Sequence, residues 1–314
     1  MKILITGGFG FVGGRLAQHL LQAGHQIVLG SRKGGCFPDW MLHAEVVETV
    51  WSDANALEQI CAGVDVVIHT AGMNAKDCAA DPLAALDFNG LSTAKLVEAA
   101  IKSDVKRYIY LSTAHVYASP LVGTITEESC PRNLHPYATS HLAGENAVLG
   151  ASRRGQIEGI VLRLSNAFGA PAHKEVNCWM LLVNDLCRQA VETGKMVLQT
   201  NGLQQRDFIA LSELCGIVEQ LAVAQRAMVD PSIFNVGSGA SQSVLGMAQV
   251  IQQRCMEVLC FEPFLQRVEC GSDESHPMLS YRADNLALLG IKVNNTDNTN
   301  EVDKLLRFCD AAFT

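Results

Sequence analysis

The chain has 314 residues, 48% of them hydrophobic and 18% charged, with a formal net charge of -8. That composition suits one large packed domain, or a large one with a smaller partner, and excludes a disordered chain. The acidic balance argues against nucleic acid or an anionic membrane as partner, and no apolar stretch is long enough to span a bilayer. With no basic, apolar leader in view, cytoplasmic residence is expected. The 11 cysteines are odd in number and include no Cys-x-x-Cys. They read as small reduced core residues, and no Cys, His and carboxylate cluster has metal-ligand spacing, so no metal is expected.

The chain opens on a strand, Met1 to Ile5, that runs into Thr6-Gly7-Gly8-Phe9-Gly10-Phe11-Val12-Gly13. The glycines match a dinucleotide fingerprint: one for the tight turn, one for backbone approach to a pyrophosphate, one for packing of the next helix on the strand. Gly7, Gly10, Phe11, Val12 and Gly13 are the candidate phosphate loop, since the helix that follows points its N–H groups and positive dipole end at the phosphates. Leu16, Leu20 and Leu21 with Ala17 and Ala23 form an apolar helical stripe, and Gly24 closes it. His25 to Gly30 reads as the second strand of a βαβ unit. An acidic residue at its end would bond the ribose 2′-hydroxyl of NAD, but the chain has Ser31-Arg32-Lys33. A hydroxyl and two cations attract a 2′-phosphate that a carboxylate would repel, so NADP(H) is favoured, with NAD(H) still possible.

Strand and helix continue to alternate, the sign of a parallel doubly wound sheet. Val46 to Val50, Asp65 to His69, Arg107 to Leu111 and Ile160 to Leu164 read as strands three to six. Asn89 to Lys102 and Tyr137 to Gly150 read as helices between them. Ligands in such sheets sit at the carboxyl ends of the strands, so Thr70-Ala71-Gly72, Thr113 and Asn166 should face one crevice. Asp53, just past strand three, is a candidate neighbour of the adenine or an ordinary cap. Beyond about residue 168 the alternation loosens. Residues 177 to 194 and 213 to 224 read as helices, Val197 to Thr200, Phe208 to Leu211 and Phe234 to Val236 as short strands. Asn294-Asn295-Thr296 reads as a polar loop before a last helix. The expected fold is α/β, a Rossmann-type doubly wound parallel sheet over residues 1–167, completed by part of 203–237. A smaller substrate domain would be formed mainly by residues 168–314.

The chemistry is expected between residues 111 and 141. Leu111-Ser112-Thr113-Ala114-His115-Val116-Tyr117 is followed by His135-Pro136-Tyr137-Ala138-Thr139-Ser140-His141. A tyrosine opening a helix beside a strand-end hydroxyl can act as acid or base at a carbinol, provided nearby positive charge pulls its pKa down from about 10. At these residues the sequence resembles an extended short-chain dehydrogenase/reductase of the NAD-dependent epimerase/dehydratase family. Thr113 matches the hydroxyl that holds the substrate oxygen, and Tyr137 the tyrosine of Tyr-x-x-x-Lys. Thr70-Ala71-Gly72, Asn89-Gly90, Arg163 to Asn166, Arg206 to Ile209, Asn235 to Gly237 and Tyr281 to Asp284 follow in family order. The resemblance implies a nicotinamide cofactor, a nucleotide-activated sugar as substrate and a homodimer built through two helices. It places Asn166, Arg206 and, more weakly, Asn177 in the helix-opening segment Val176-Asn177-Cys178 near the substrate's diphosphate.

Two departures stand out. The family lysine is replaced by His141, which is shorter and neutral at pH 7 unless its pKa is raised. It could still bond a ribose hydroxyl or act through water, and Glu145, one turn further on, is the partner acid that could keep it charged. The family's Arg-Pro-Gly-Asp stretch is replaced by Glu269-Cys270-Gly271-Ser272-Asp273, leaving Arg267 or Arg282 as candidate diphosphate ligands. Three functions follow: an NADPH-dependent reductase of a keto sugar nucleotide, an epimerase that keeps its nicotinamide bound, and a cofactor-binding regulatory or scaffold protein without catalysis.

Overall fold

The computed structural model of the chain describes residues 1–32, 41, 43–225, 232–268, 277–293 and 297–314. Lys33, the 269–273 stretch and the polar 294–296 segment lie outside the described residues. The framework is a sheet of seven parallel strands. β1 (Lys2–Thr6) is central, with β2 (Gln26–Ser31) and β3 (Glu45–Glu48) on one side. On the other side lie β4 (Val66–His69), β5 (Arg107–Thr113), strand Glu158–Leu164 and strand Ile233–Val236. The register sets Thr6 beside Gly30 and His69, and Thr113 beside Leu164. The carboxyl ends of β1, β4, β5 and 158–164 therefore form one edge.

Both faces of the sheet are covered, which is why its strands read as nearly continuous apolar runs. Period-two alternation sorts the residues. Ile3 and Ile5 share a core with Leu16 and Leu20 of α1 (Phe11–Gln22) and with the helix Leu211–Val223. Leu4 shares the opposite core with Leu57 of α2 (Ala54–Cys61), Leu96 of the helix Thr93–Lys102 and Val148 of the helix Pro136–Arg153. The chain adopts the expected α/β doubly wound architecture.

A second, smaller core joins Phe168 and Phe208 to the helices Leu182–Thr193, Val244–Leu259 and Asp297–Phe313. Short parallel pairs line it: Lys195–Leu198 with Phe264–Arg267, and Asn166–Phe168 with Phe208–Ala210. The helix expected from 177 begins only at Leu182. Val176 and Cys178 are buried while Asn177 between them is exposed, an alternation of period two, and the Asn184 amide ties back to the Gly169 carbonyl at 2.8 Å. Asn177 thus sits in an exposed loop and not at a helix start. The helix expected from Asn89 begins earlier, as a π-helical stretch Leu86–Ser92 leading into Thr93–Lys102. Of the cysteines, seven of the nine described are buried free thiols. Among the described residues, no helix is long and apolar enough to cross a membrane.

Candidate active site

The glycine loop is built by contact. A Cβ on Gly13 would lie 2.3 Å from the Gly7 carbonyl oxygen and 2.7 Å from Thr70 Oγ1, so only glycine lets α1 seat on the β1 turn. Gly7 has φ +69°, and a Cβ there would meet the Ala71 nitrogen at 2.8 Å. Thr70 locks the junction by donating its hydroxyl to the Thr6 carbonyl at 2.7 Å. α1 starts from Gly10 with no capping side chain and no acid in its first turn. Its leading N–H groups and dipole end are thereby left for an anion. These residues fit a dinucleotide pyrophosphate. Ser31 ends β2, its carbonyl accepting from Thr49 N at 2.7 Å, and Arg32 follows as an exposed side chain. Asp53 caps α2, accepting from Asn55 N at 2.9 Å and Ala56 N at 3.2 Å.

The second half of the crevice comes from β5 and the helix Pro136–Arg153. Thr113 is the last residue of β5, and its Oγ1 accepts from His115 N at 3.1 Å, which leaves its own proton to donate. Pro136 opens the helix at its first position, where a missing N–H is harmless, and the His135 ring caps Tyr137 N at 3.2 Å. One helical turn separates Tyr137 from His141, and their rings meet edge to face at 4.6 Å. Burial holds the Tyr137 phenol above its ordinary pKa, with a hydrogen bond from Thr113 acting in the opposite sense. The His141 ring lies 3.6 Å from where a Gly72 side chain would begin, so β4's exit, β5's end and this helix converge.

Glu145 does not keep His141 charged. It is fully buried and taken by two other partners: the Arg163 guanidinium at 2.6 Å and the Ser112 hydroxyl at 2.5 Å. His141 instead bonds Tyr110 through Nδ1 at 2.8 Å, and burial pushes its pKa down to about 4. At neutral pH the position of the family lysine therefore carries no charge.

Four contributors receive no role from the sequence. Tyr110 and Ser112 sit on the helix-facing side of β5, a placement that period-two reading of 107–113 would have supplied. Asn89, in the π-helical stretch, accepts from Met73 N at 2.8 Å and donates to Ser140 Oγ at 3.0 Å, joining the β4 exit to the tyrosine helix. His69 stacks on Tyr110 with centroids 5.5 Å apart.

Of the predicted substrate residues, Asn166 and Arg206 come together. Asn166 pairs in register with Phe208 and donates its amide to the Asp207 carbonyl at 2.8 Å. Arg206, half-buried, is close enough to His115 to hold that imidazole's pKa down, after burial itself. Arg282 is half-exposed, its guanidinium paired with Asp284 at 3.0 Å.

A family profile described as the NAD dependent epimerase/dehydratase family matches residues 3–237. The chain belongs to the NAD-dependent epimerase/dehydratase family. Among its relatives is a dTDP-6-deoxy-L-talose 4-dehydrogenase (NAD(P)(+)) from Kitasatospora kifunensis. The two are 29% identical over 262 residues, covering 80% of this chain and 78% of the relative. The fold is shared with a UDP-N-acetylglucosamine 4-epimerase from Methanobrevibacter ruminantium M1, solved with UDP-N-acetylmuramic acid. Its TM-score is 0.83 at 20% identity, covering 98% of this chain and 97% of that one. A dTDP-glucose 4,6-dehydratase from Streptomyces venezuelae, solved with NAD bound, gives a TM-score of 0.80 at 19% identity and covers 99% and 98%. The epimerase/dehydratase profile ends with the sheet's last strand, Ile233–Val236.

Proposed function

We propose that this epimerase/dehydratase-family protein is a nicotinamide-dependent reductase of a nucleotide-activated keto sugar. When bound, the reduced nicotinamide supplies the hydride. Tyr137 supplies the proton, passing it from its hydroxyl to the substrate oxygen as charge develops there, while Thr113 donates a hydrogen bond to the same oxygen. His141 Nε2 would hold the ribose, the glycine loop the pyrophosphate, and Asn166 and Arg206 the substrate's diphosphate.

The observation that carries the reductive reading is that His141, at the lysine position, is buried with no acid among the described residues to keep it charged, since Glu145 is held by Arg163 and Ser112. An oxidation must begin with a base, and no cation at position 141 stabilises a Tyr137 phenolate. A reduction must end with an acid, and the resting site holds Tyr137 as the protonated phenol; the phenolate left by the transfer takes its proton back from solvent before the next turnover. The relative named dTDP-6-deoxy-L-talose 4-dehydrogenase (NAD(P)(+)) supports a nucleotide-activated sugar as the substrate class. Ser31 and Arg32 support NADPH over NADH.

Tyr137→Phe removes the proton and leaves the ring. Consumption of NADPH with a panel of 4-keto sugar nucleotides should fall about 100-fold or more, with cofactor affinity retained. Unchanged turnover would remove Tyr137 from the chemistry. If the wild type turns over no such substrate but binds NADPH, the regulatory or scaffold reading takes its place. Arg32→Ala should weaken NADPH about tenfold and leave NADH nearly unchanged, from a lost charge-assisted hydrogen bond. Equal losses for the two cofactors would overturn the 2′-phosphate assignment.

A further inference from the structure

The hydrogen bonds beneath His141 determine which of its nitrogens carries the proton. They begin at Thr93, whose hydroxyl donates to the Asn89 carbonyl at 2.7 Å. With its one proton committed, Thr93 Oγ1 can only accept from His69 Nε2, 3.0 Å away. His69 is thereby the Nε2–H tautomer, and its Nδ1 accepts from the Thr6 hydroxyl at 2.5 Å. Tyr110 stands between this set and His141. Its hydroxyl has two neighbours, the Thr93 hydroxyl and, at 2.8 Å, His141 Nδ1, and a neutral imidazole nitrogen is a better acceptor than either hydroxyl oxygen. Burial keeps the phenol protonated, so it remains a donor at any working pH. Gly144 leaves the space required: a Cβ there would lie 2.7 Å from the Tyr110 hydroxyl.

We propose that Tyr110 is a positioning residue that donates to Nδ1 of His141 and so fixes it as the Nε2–H tautomer, a neutral donor toward the cofactor ribose. The ring edge bearing Nε2 faces Gly72, with Nε2 3.7 Å from that residue's Cβ position, on the side of the crevice where β4 ends. With the other tautomer, that edge would present a lone pair and could not donate to a hydroxyl. Tyr110 thus performs, through histidine, the orienting part of what a lysine does unaided. The ribose half of this inference rests on reading the crevice as a nicotinamide site. The tautomer half rests on the hydrogen bonds and on the burial that keeps both rings neutral.

The test uses the full chain labelled with nitrogen-15 in its imidazoles, without cofactor. Long-range proton–nitrogen spectra of the wild type, with His141→Gln for assignment, should show a protonated Nε2 and a bare Nδ1 at His141. Tyr110→Phe, which keeps the stacked ring, should shift His141 toward the Nδ1–H form. A wild type carrying its proton on Nδ1, or a tautomer unmoved in Tyr110→Phe, would overturn the proposal. Titration with NADPH gives the second readout. Tyr110→Phe should weaken binding about five- to tenfold in the wild-type background, from one lost orienting hydrogen bond, and less than twofold beside His141→Lys. Equal weakening in both backgrounds would mark Tyr110 as merely structural and overturn its positioning role. The spectra need neither cofactor nor substrate, so the tautomer they report is independent of whether Tyr137→Phe abolishes reduction.

Discussion

Two imidazoles, His69 and His141, are buried in the wall of the crevice, and both are held neutral by burial, with pKa values of about 3 and about 4. Their unfolded value is about 6.5, so below that pH the unfolded chain binds more protons than the folded one. The sign follows: their contribution to stability is complete above pH 6.5 and falls as pH drops toward 4 and 3. The titratable groups facing them are each other and Tyr108, Tyr110 and Tyr137, the tyrosines uncharged in this range, while Glu145 is neutralised by Arg163. The urea midpoint should therefore be lower at pH 5 than at pH 7.5, and His141→Asn should flatten that slope. An unchanged slope would mean that His141 is protonated in the folded protein. Among these residues Thr113 and Tyr137 were legible as a strand-end hydroxyl and a helix-opening tyrosine, and His141 through the family resemblance. Tyr110 was not, because its bond to His141 spans 31 residues between two different elements.

The element that does most for the crevice is the helix Pro136–Arg153. Its first turn carries Tyr137, its second His141 and its third Glu145, all on the face turned to β5. Glu145 fixes that face. It receives Arg163 from the neighbouring strand through two nitrogens and Ser112 from β5, one residue before Thr113. A buried carboxylate with this many donors holds the helix and both strands in one relative position. Glu145→Ala would strand the Arg163 cation, at a cost of about 3–5 kcal/mol read by urea unfolding, and should lower turnover as Thr113 and Tyr137 lose their spacing. Full activity with the stability loss would limit Glu145 to a structural role. Sequence periodicity located this helix to within a few residues. It could not show the π-helical stretch at 86–92, because seven residues are too short a run for a wider helical period to be told from the ordinary one.

Across the molecule, the sheet and the smaller core are joined at one buried ion pair. Arg15 of α1 reaches Glu301 of the last helix at 2.6 Å, and the same guanidinium donates to the Ala170 carbonyl at 2.6 Å. Glu301 also accepts from Ala170 N at 3.2 Å. Gly169 gives it room, at φ +148°, where any Cβ would lie 2.3 Å from the carboxylate. Since α1 begins at the phosphate loop, this pair links the C-terminal helix to the cofactor end of the crevice. Glu301→Ala should cost about 3–5 kcal/mol and broaden the urea transition as the two cores uncouple. A sharp transition with unchanged midpoint would show that the joint is not energetically coupled.

Local rules, readable along the chain, settled the framework. Period-two and helical stripes set the strand and helix order, the fingerprint spacing set the glycines at 7, 10 and 13, and the family resemblance picked out Thr113, Tyr137 and His141. Only the packed fold decided the electrostatics of that edge. Whether Glu145 faces His141 or Arg163, which nitrogen of His141 meets Tyr110, and what closes on Arg15 are choices among partners far apart in sequence. Each is settled by which buried charge or polar group would otherwise be left without a partner, and that is a property of the interior that no stretch of sequence carries.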